Sequence, residues 1–588
     1  MEAAEEEKKG LLESRRDEDG ESMHSFTSSP TLTPSPLSPS IDNEEEKFFP
    51  ESDEHEPIFS TATQFSPPSW RKTPLTPLGL SLLLLRVLKA ILIPLLPSPL
   101  HHFVTSKPHT PRKLHATSYL DGLRGVAALI VLHSHFLTNW FYPLRSGYLS
   151  TATDIYIMQL PILRLFYAGR ASVAVFFVIS GFALSYKPLS LLRKGSSSSG
   201  KVLEVLSSSV FRRWMRLWIP IVFGTFISAL LANYALYTPV PSRGETIPPT
   251  FPTLREQLVH WWGALCVFWY PWTAVDGNAP VGMPYNGHLW TIPIEFYGSV
   301  VVFACVLGLA GVQRGRGWGK VLVGAGVVGW SLRGGRWDVS LFVGGIVCAE
   351  WSLMLAEWRE GGLPIHTHPE LSSQDSAFTN THLTTALRIS KKALTALHLA
   401  LLPFKPLFLA LSLLTSLFLL SYAGESASPG HFHAFLVPYT PSLYNTVSLG
   451  PEHFFLALGA LLLLFTLSSS PTLQKPFTWR FPQYLGDISY SLYIVHGMVL
   501  FTLGTYLQQR WTGVVGEQKW VDDGMGMLVE VVVSVEPEAR VWWHGFLGAA
   551  VVDWVVVFWA ADVFWRGVDG RVVGWGRWVE GVVGGRGR

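Results

Sequence analysis

The sequence predicts an all-α fold, a polytopic transmembrane helical bundle of about ten spans behind a disordered N-terminal tail. Three observations carry this. Of 588 residues, 48% are hydrophobic and only 15% charged, whereas about a quarter of the residues in a soluble domain are charged. Mean hydropathy is positive. Apolar runs of about 20 residues, enough to cross a hydrocarbon core as a helix, recur along the chain.

Residues 1–75 have the opposite character. MEAAEEEKKG and NEEEKFFPESDEHEP are charge-rich, and SSPTLTPSPLSPS is a Ser/Thr/Pro tract. Such a segment cannot bury enough apolar surface to offset its ordering entropy, so a disordered cytoplasmic tail is expected. It lacks a basic stretch leading into an apolar one and does not read as a signal peptide. Residues 76–118 read as a linker. Within it, 78–96 is apolar but carries Arg86 and Lys89, which suits either the interface or a crossing.

The membrane domain is expected at 119–565. Its spans are placed at 120–141, 170–186, 217–237, 289–311, 320–334, 338–356, 407–422, 451–468, 484–507 and 541–565, followed by a basic tail, 566–588. Segment 260–272 is too short to cross and reads as re-entrant. Net charge is +2, which points to no acidic polymer and no nucleic-acid partner. Cys266, Cys305 and Cys348 lie in apolar context, give neither a disulfide framework nor a metal spacing, and read as packing residues.

Orientation follows from Lys and Arg, which favour the cytoplasmic side. Lys187, Arg193, Lys194, Lys201, Arg212, Arg213 and Arg216 crowd the segment after the second span, and 423–450 holds no Lys or Arg. Both termini are therefore expected in the cytoplasm and 423–450 outside it.

The first span, YLDGLRGVAALIVLHSHF, holds Arg124, His133 and His135, ionisable groups that are costly at membrane depth. Eleven helical steps separate Arg124 from His135, which returns within about 20° of the same face, about 16 Å further along. His133 is nine steps away and points to the opposite face. Arg213 and Arg216, three apart, are neighbours on a helix surface. Their guanidinium forks suit phosphate, although juxtamembrane arginines also serve as topology anchors. His288 and Glu295 are seven steps apart and share a face if the helix is continuous, so the carboxylate would orient a histidine, orient an acceptor hydroxyl, or make a structural hydrogen bond. Ser489 and His496 are also seven steps apart, about 10 Å along the axis. That is too far for nucleophile activation, and they read as pocket-lining groups. Ser180-Gly181 reads as a small-residue helix contact. The pairs His366/His368 and His431/His433 lack further ligands and read as solvated loop residues, so no metal site is expected.

These stretches resemble, in order, the motifs of the acyltransferase 3 family of integral membrane acyltransferases. An Arg, ten residues, then a His in the first span is that family's signature, matched by Arg124 and His135. ASVAVFFVISGFALS, FRRWMRLWIP, GHLWTIPIEFYG and LGDISYSLYIVHG resemble four further motifs, although Tyr297 follows Glu295 by only two. The likeness covers roughly 119–507, with drift to 565. It implies transfer of an acyl group, acetyl being the expected one, from acyl-CoA to a hydroxyl on a glycan, lipid or secondary metabolite. His135 and Arg124 are the expected catalytic residues. Arg213, Arg216, Glu295, Trp290, His288, Ser489, Tyr490 and His496 are expected to bind substrates. Acyl-CoA enters as a donor substrate, and no permanently bound cofactor is expected. Two other classes fit mid-membrane polar groups: a transporter or lipid translocase, and a non-catalytic scaffold, against which the intact Arg/His pair speaks.

Overall fold

The computed structural model describes residues 95–98, 114–194, 199–238, 247–270, 282–312, 317–361, 404–423, 429–445, 450–513, 515–522, 528–535 and 539–583. The expectations for 1–75, for His366 and His368, and for nearly all of 78–96 fall outside these residues.

The element order is α1 (Ser118–Trp140), α2 (Gly169–Arg193), α3 (Ser199–Asn233), α4 (Leu254–Phe268), α5 (Thr291–Ala310), α6 (Trp318–Arg333), α7 (Trp337–Gly361), α8 (Lys405–Leu420), α9 (Glu452–Ser469), α10 (Arg480–Val499), α11 (Thr505–Thr512), β1 (Val515–Asp522), β2 (Leu528–Val535), α12 (Ala539–Phe564) and α13 (Gly570–Val583). Every expected span is a helix. Eight are long and apolar enough to cross a membrane. The count falls from ten because α6 and α8 have 16 residues each, about 24 Å of rise against a core of about 30 Å. Helix α4, 15 residues long, matches the expected short segment. The basic tail is largely helical, since α13 packs on α3 and Arg212 Nε lies 3.6 Å from Glu580 Oε2. Strands β1 and β2 pair antiparallel, from Val515 opposite Val535 to Asp522 opposite Leu528; they are the departure from helix among the described residues.

Two helix pairs organise the bundle. Helices α1 and α10 touch at backbone distance, because a Cβ on Gly125 would collide with the amide of Gly486 and the end of Leu485. Small residues permit this approach where no hydrophobic force draws helices together in lipid. The two run in the same direction, with Gly125 against Gly486 near their starts and His135 beside His496 further along. Helices α2 and α7 meet the same way, with Gly181 seated on the carbonyl of Phe342, as the Ser180-Gly181 step led one to expect. Pro188 and Pro220 lie inside α2 and α3, as membrane helices tolerate where their surroundings re-satisfy the freed backbone groups. Leu132, Trp218, Ile221, Leu265, Leu289, Leu492 and Ile494, all fully buried, build an apolar core where α1, α3, α4 and α10 converge. That core walls the polar pocket described next.

Candidate active site

The two histidines of α1 have unlike surroundings. His133 is buried and sandwiched between Phe166 and Trp554, with ring centroids at 4.4 and 4.5 Å, and its Nδ1 lies 3.2 Å from the Phe166 carbonyl. His135 faces two other imidazoles. Its ring centroid is 4.0 Å from that of His288 and 5.3 Å from that of His496, and His288 and His496 are 4.7 Å apart. One nitrogen from each ring lies within 4.8 Å of the other two. The spacing of His133 and His135 along the chain pointed to separate faces; it did not reveal that His135, His288 and His496 meet.

Hydrogen bonds set two of these rings. His496 Nδ1 lies 3.0 Å from the carbonyl of Leu492 one turn back, an acceptor, so Nδ1 carries the proton and Nε2 the lone pair. That Nε2 is buried and has no hydrogen-bond partner among the described residues. Asn286 Nδ2 donates to the Ile494 carbonyl at 2.9 Å, which turns its Oδ1 towards His288 Nδ1, 3.3 Å away. His288 is thereby also protonated on Nδ1. Its seat depends on Gly497, where an added Cβ would lie 2.5 Å from that nitrogen. Tyr493 donates to the His288 carbonyl and bonds Thr291 Oγ1 at 2.7 Å, tying the turn to α10. Asn286 and Tyr493 were not among the expected site residues. Asn286 carried a signal nonetheless, as a capping residue type two positions before His288. Trp290 is half-buried at the end of the same turn and stands outside the ring cluster.

Arg124 begins a second polar region nearer the start of α1. Its Nε donates to Ser489 Oγ and its Nη2 to the Gly486 carbonyl, both at 3.0 Å, and Asp121 lies 3.4 Å away. Ser489 thus serves Arg124 and not His496, as their separation required. Arg213 Nη2 donates to Glu295 Oε1 at 2.6 Å and its Nε to Ser299 Oγ at 2.9 Å. Ser180 donates to the same carboxylate oxygen at 3.1 Å. Glu295 does not face His288, because Gly287–Trp290 is a 3₁₀ turn, and three residues per turn undo the seven-step arithmetic of an α-helix. Arg124 and Arg216 both lie within electrostatic reach of the buried Asp569, which Ser491 approaches at 3.4 Å. Tyr490 donates to the Leu217 carbonyl at 2.5 Å, joining α10 to α3.

Two expectations are corrected. His433 is not solvated: it is buried, stacked on Phe418 at 4.5 Å, with Nε2 3.1 Å from that residue's carbonyl. His431 is exposed as expected. Of the three cysteines, all free, Cys348 is buried while Cys266 is exposed, so packing accounts for the former and not the latter.

The sequence profile described as an acyltransferase domain matches residues 117–535, a stretch that contains both polar regions except Asp569. The chain is 28% identical over 498 residues to O-acetyltransferase PaAT-1 of Phomopsis amygdali, covering 79% of this chain and 85% of that one. It is 23% identical over 449 residues to acyltransferase R4 of a Phoma species, covering 69% and 87%. It is 22% identical over 439 residues to acyltransferase clz18 of Cochliobolus lunatus, covering 67% and 85%. No solved structure matches the chain. An Arg and a His on one stripe of α1, set in a helical membrane bundle and spanned by that profile, place the chain in the acyltransferase 3 family, as a multi-pass membrane acyltransferase.

Proposed function

We propose that the protein transfers an acyl group, acetyl in the first instance, from acyl-CoA to a hydroxyl of a small acceptor, with His135 as general base. The observation that carries this reading is the convergence of His135, His288 and His496 in an apolar-walled pocket. A neutral imidazole carries a ring-nitrogen lone pair that can take a hydroxyl proton, the commonest general-base arrangement. His135 accepts the acceptor's hydroxyl proton as the oxygen attacks the thioester carbonyl. The carbon–sulfur bond breaks, the acyl group passes to oxygen, and the proton on His135 moves to the departing CoA thiolate. His288 and His496 line the acceptor side. Holding both substrates in one water-poor cavity supplies much of the rate.

Arg124, Arg213 and Arg216 form the donor side, where guanidinium groups meet CoA phosphates bidentately. Arg213 is held by Glu295 and Ser299, so donor binding exchanges part of that bond. The name of the Phomopsis relative, an O-acetyltransferase, favours acetyl and an oxygen acceptor. The test is release of free CoA from acetyl-CoA by the purified protein in detergent, with acceptor fractions scored by mass spectrometry for an acetyl mass increment. Release that needs acceptor and is lost in His135→Ala supports the reading. Release unchanged in that variant overturns it.

The charge bias places the donor side in the cytoplasm. Single cysteines at Ser196 and Ser426, in a background lacking the three native ones, test this with an impermeant maleimide. Labelling from opposite sides of the membrane is expected, and labelling from one side refutes the orientation.

A further inference from the structure

The lone pairs of the histidine cluster point to a ligand that no hydroxyl satisfies. His288 and His496 are both fixed as Nδ1–H tautomers by acceptors outside the pocket, the Asn286 amide oxygen and the Leu492 carbonyl. In that tautomer each carries its lone pair on Nε2, and the His496 Nε2 is buried with no hydrogen-bond partner among the described residues. His135 adds a third imidazole, with one nitrogen of each ring within 4.8 Å of the rest. An alcohol offers one hydrogen to three such acceptors. A divalent cation accepts all three lone pairs at once.

We propose that His135, His288 and His496 form a three-imidazole site for a divalent transition-metal ion of the zinc type, and that its occupation silences acyl transfer. Imidazole nitrogen suits zinc, copper and nickel, and three protein ligands with one open position is a common zinc arrangement. Tetrahedral bonds of 2.0–2.1 Å put ligand nitrogens about 3.3 Å apart, so small ring rotations close the site. The outer contacts are those of metal-bound histidines, whose second nitrogen donates to an amide or backbone oxygen that fixes the ring. All three ligands are neutral, the pocket is at membrane depth, and Arg145 acts electrostatically on His135. A double charge is therefore held reversibly rather than as a resident cofactor. The bound ion consumes the lone pair with which His135 takes the acceptor's proton. That silencing rests on the general-base reading above, whereas the binding does not.

The experiment titrates metal-stripped protein in detergent with Co²⁺, reading its visible absorption, and then displaces the cobalt with Zn²⁺. One equivalent with a tetrahedral cobalt spectrum is expected. His288→Gln and His496→Gln, checked for folding by thermal melting, are expected to weaken it at least tenfold, and Asn286→Ala by about 10–100-fold. His133→Ala is expected to keep it. Zinc is expected to inhibit acetyl transfer, and a chelator to restore it. No such equivalent, or one unchanged in both glutamine variants, overturns the site while leaving the base reading untouched. Binding without inhibition, or transfer that requires the metal, overturns the silencing. Transfer retained in His135→Ala refutes the base reading and the silencing that rests on it, and leaves the binding site standing.

Discussion

His133 and His135 sit two residues apart on one helix, and their environments differ in kind. His133 lies between two aromatic rings with one nitrogen spent on a backbone carbonyl. His135 lies among imidazoles that direct lone pairs towards it. Burial alone does not explain this, since His133 is buried and His135 half-buried. What separates them is whether the neighbours complete the side chain or leave chemistry to be done. The arginines divide along a similar line: Arg213 is completed by Glu295 and Ser299, whereas Arg216 faces Asp569 across a longer range.

The sharpest way to break this contrast is to truncate each histidine. His135→Ala is expected to lower kcat/KM by about 10²–10⁴-fold, while His133→Ala leaves it within about threefold and lowers the melting temperature instead. Equal losses of activity would erase the distinction. Glu295→Ala extends it to the arginines by leaving Arg213 uncompensated in a largely buried site; a loss of about 3 kcal/mol in stability is expected, read from denaturation in detergent, and Glu295→Gln should recover part of it. Arg216→Ala is expected to raise the KM for acyl-CoA about tenfold with little change in melting temperature, and a change in acceptor KM alone would remove Arg216 from the donor side.

The smallest effect concerns His433, a packing histidine like His133 but outside the long helices. Desolvation by burial lowers its pKa from 6.5 to about 4, against the weaker pull of the Phe418 carbonyl. Its folded pKa lies below its unfolded one, so the unfolded chain binds more protons between these values. Stability is expected to fall as pH drops from 6.5 towards 4, and His433→Phe to flatten that slope in thermal melts. A slope that persists in the variant would assign it to another group.

Much of this was legible in the sequence. Span positions follow from hydropathy, and the opposite faces of His133 and His135 follow from 100° per residue, because both facts are confined to one helix. Arithmetic failed where the helix did. His288 and Glu295 were expected on one face, yet the 3₁₀ turn at Gly287–Trp290 delivers His288 to α10 and leaves Glu295 to α3. The histidine cluster was not legible as a cluster, since its members come from three segments at least 153 positions apart, and motif spacing sees only neighbours in sequence. His433 was misjudged because a loop position says nothing about what folds over it.

The shared direction of α1 and α10 carries a parity rule. Two helices that enter the membrane from the same face must be separated by an even number of passages, counted from the first up to but not including the second. Among the described residues, the full-length candidates from α1 to α9 number six, which satisfies the rule. Among the described residues, the short helices α4, α6 and α8 can therefore join the set only in pairs. Thinning the bilayer until one of them spans would, by itself, invert α10 and carry His496 away from His135.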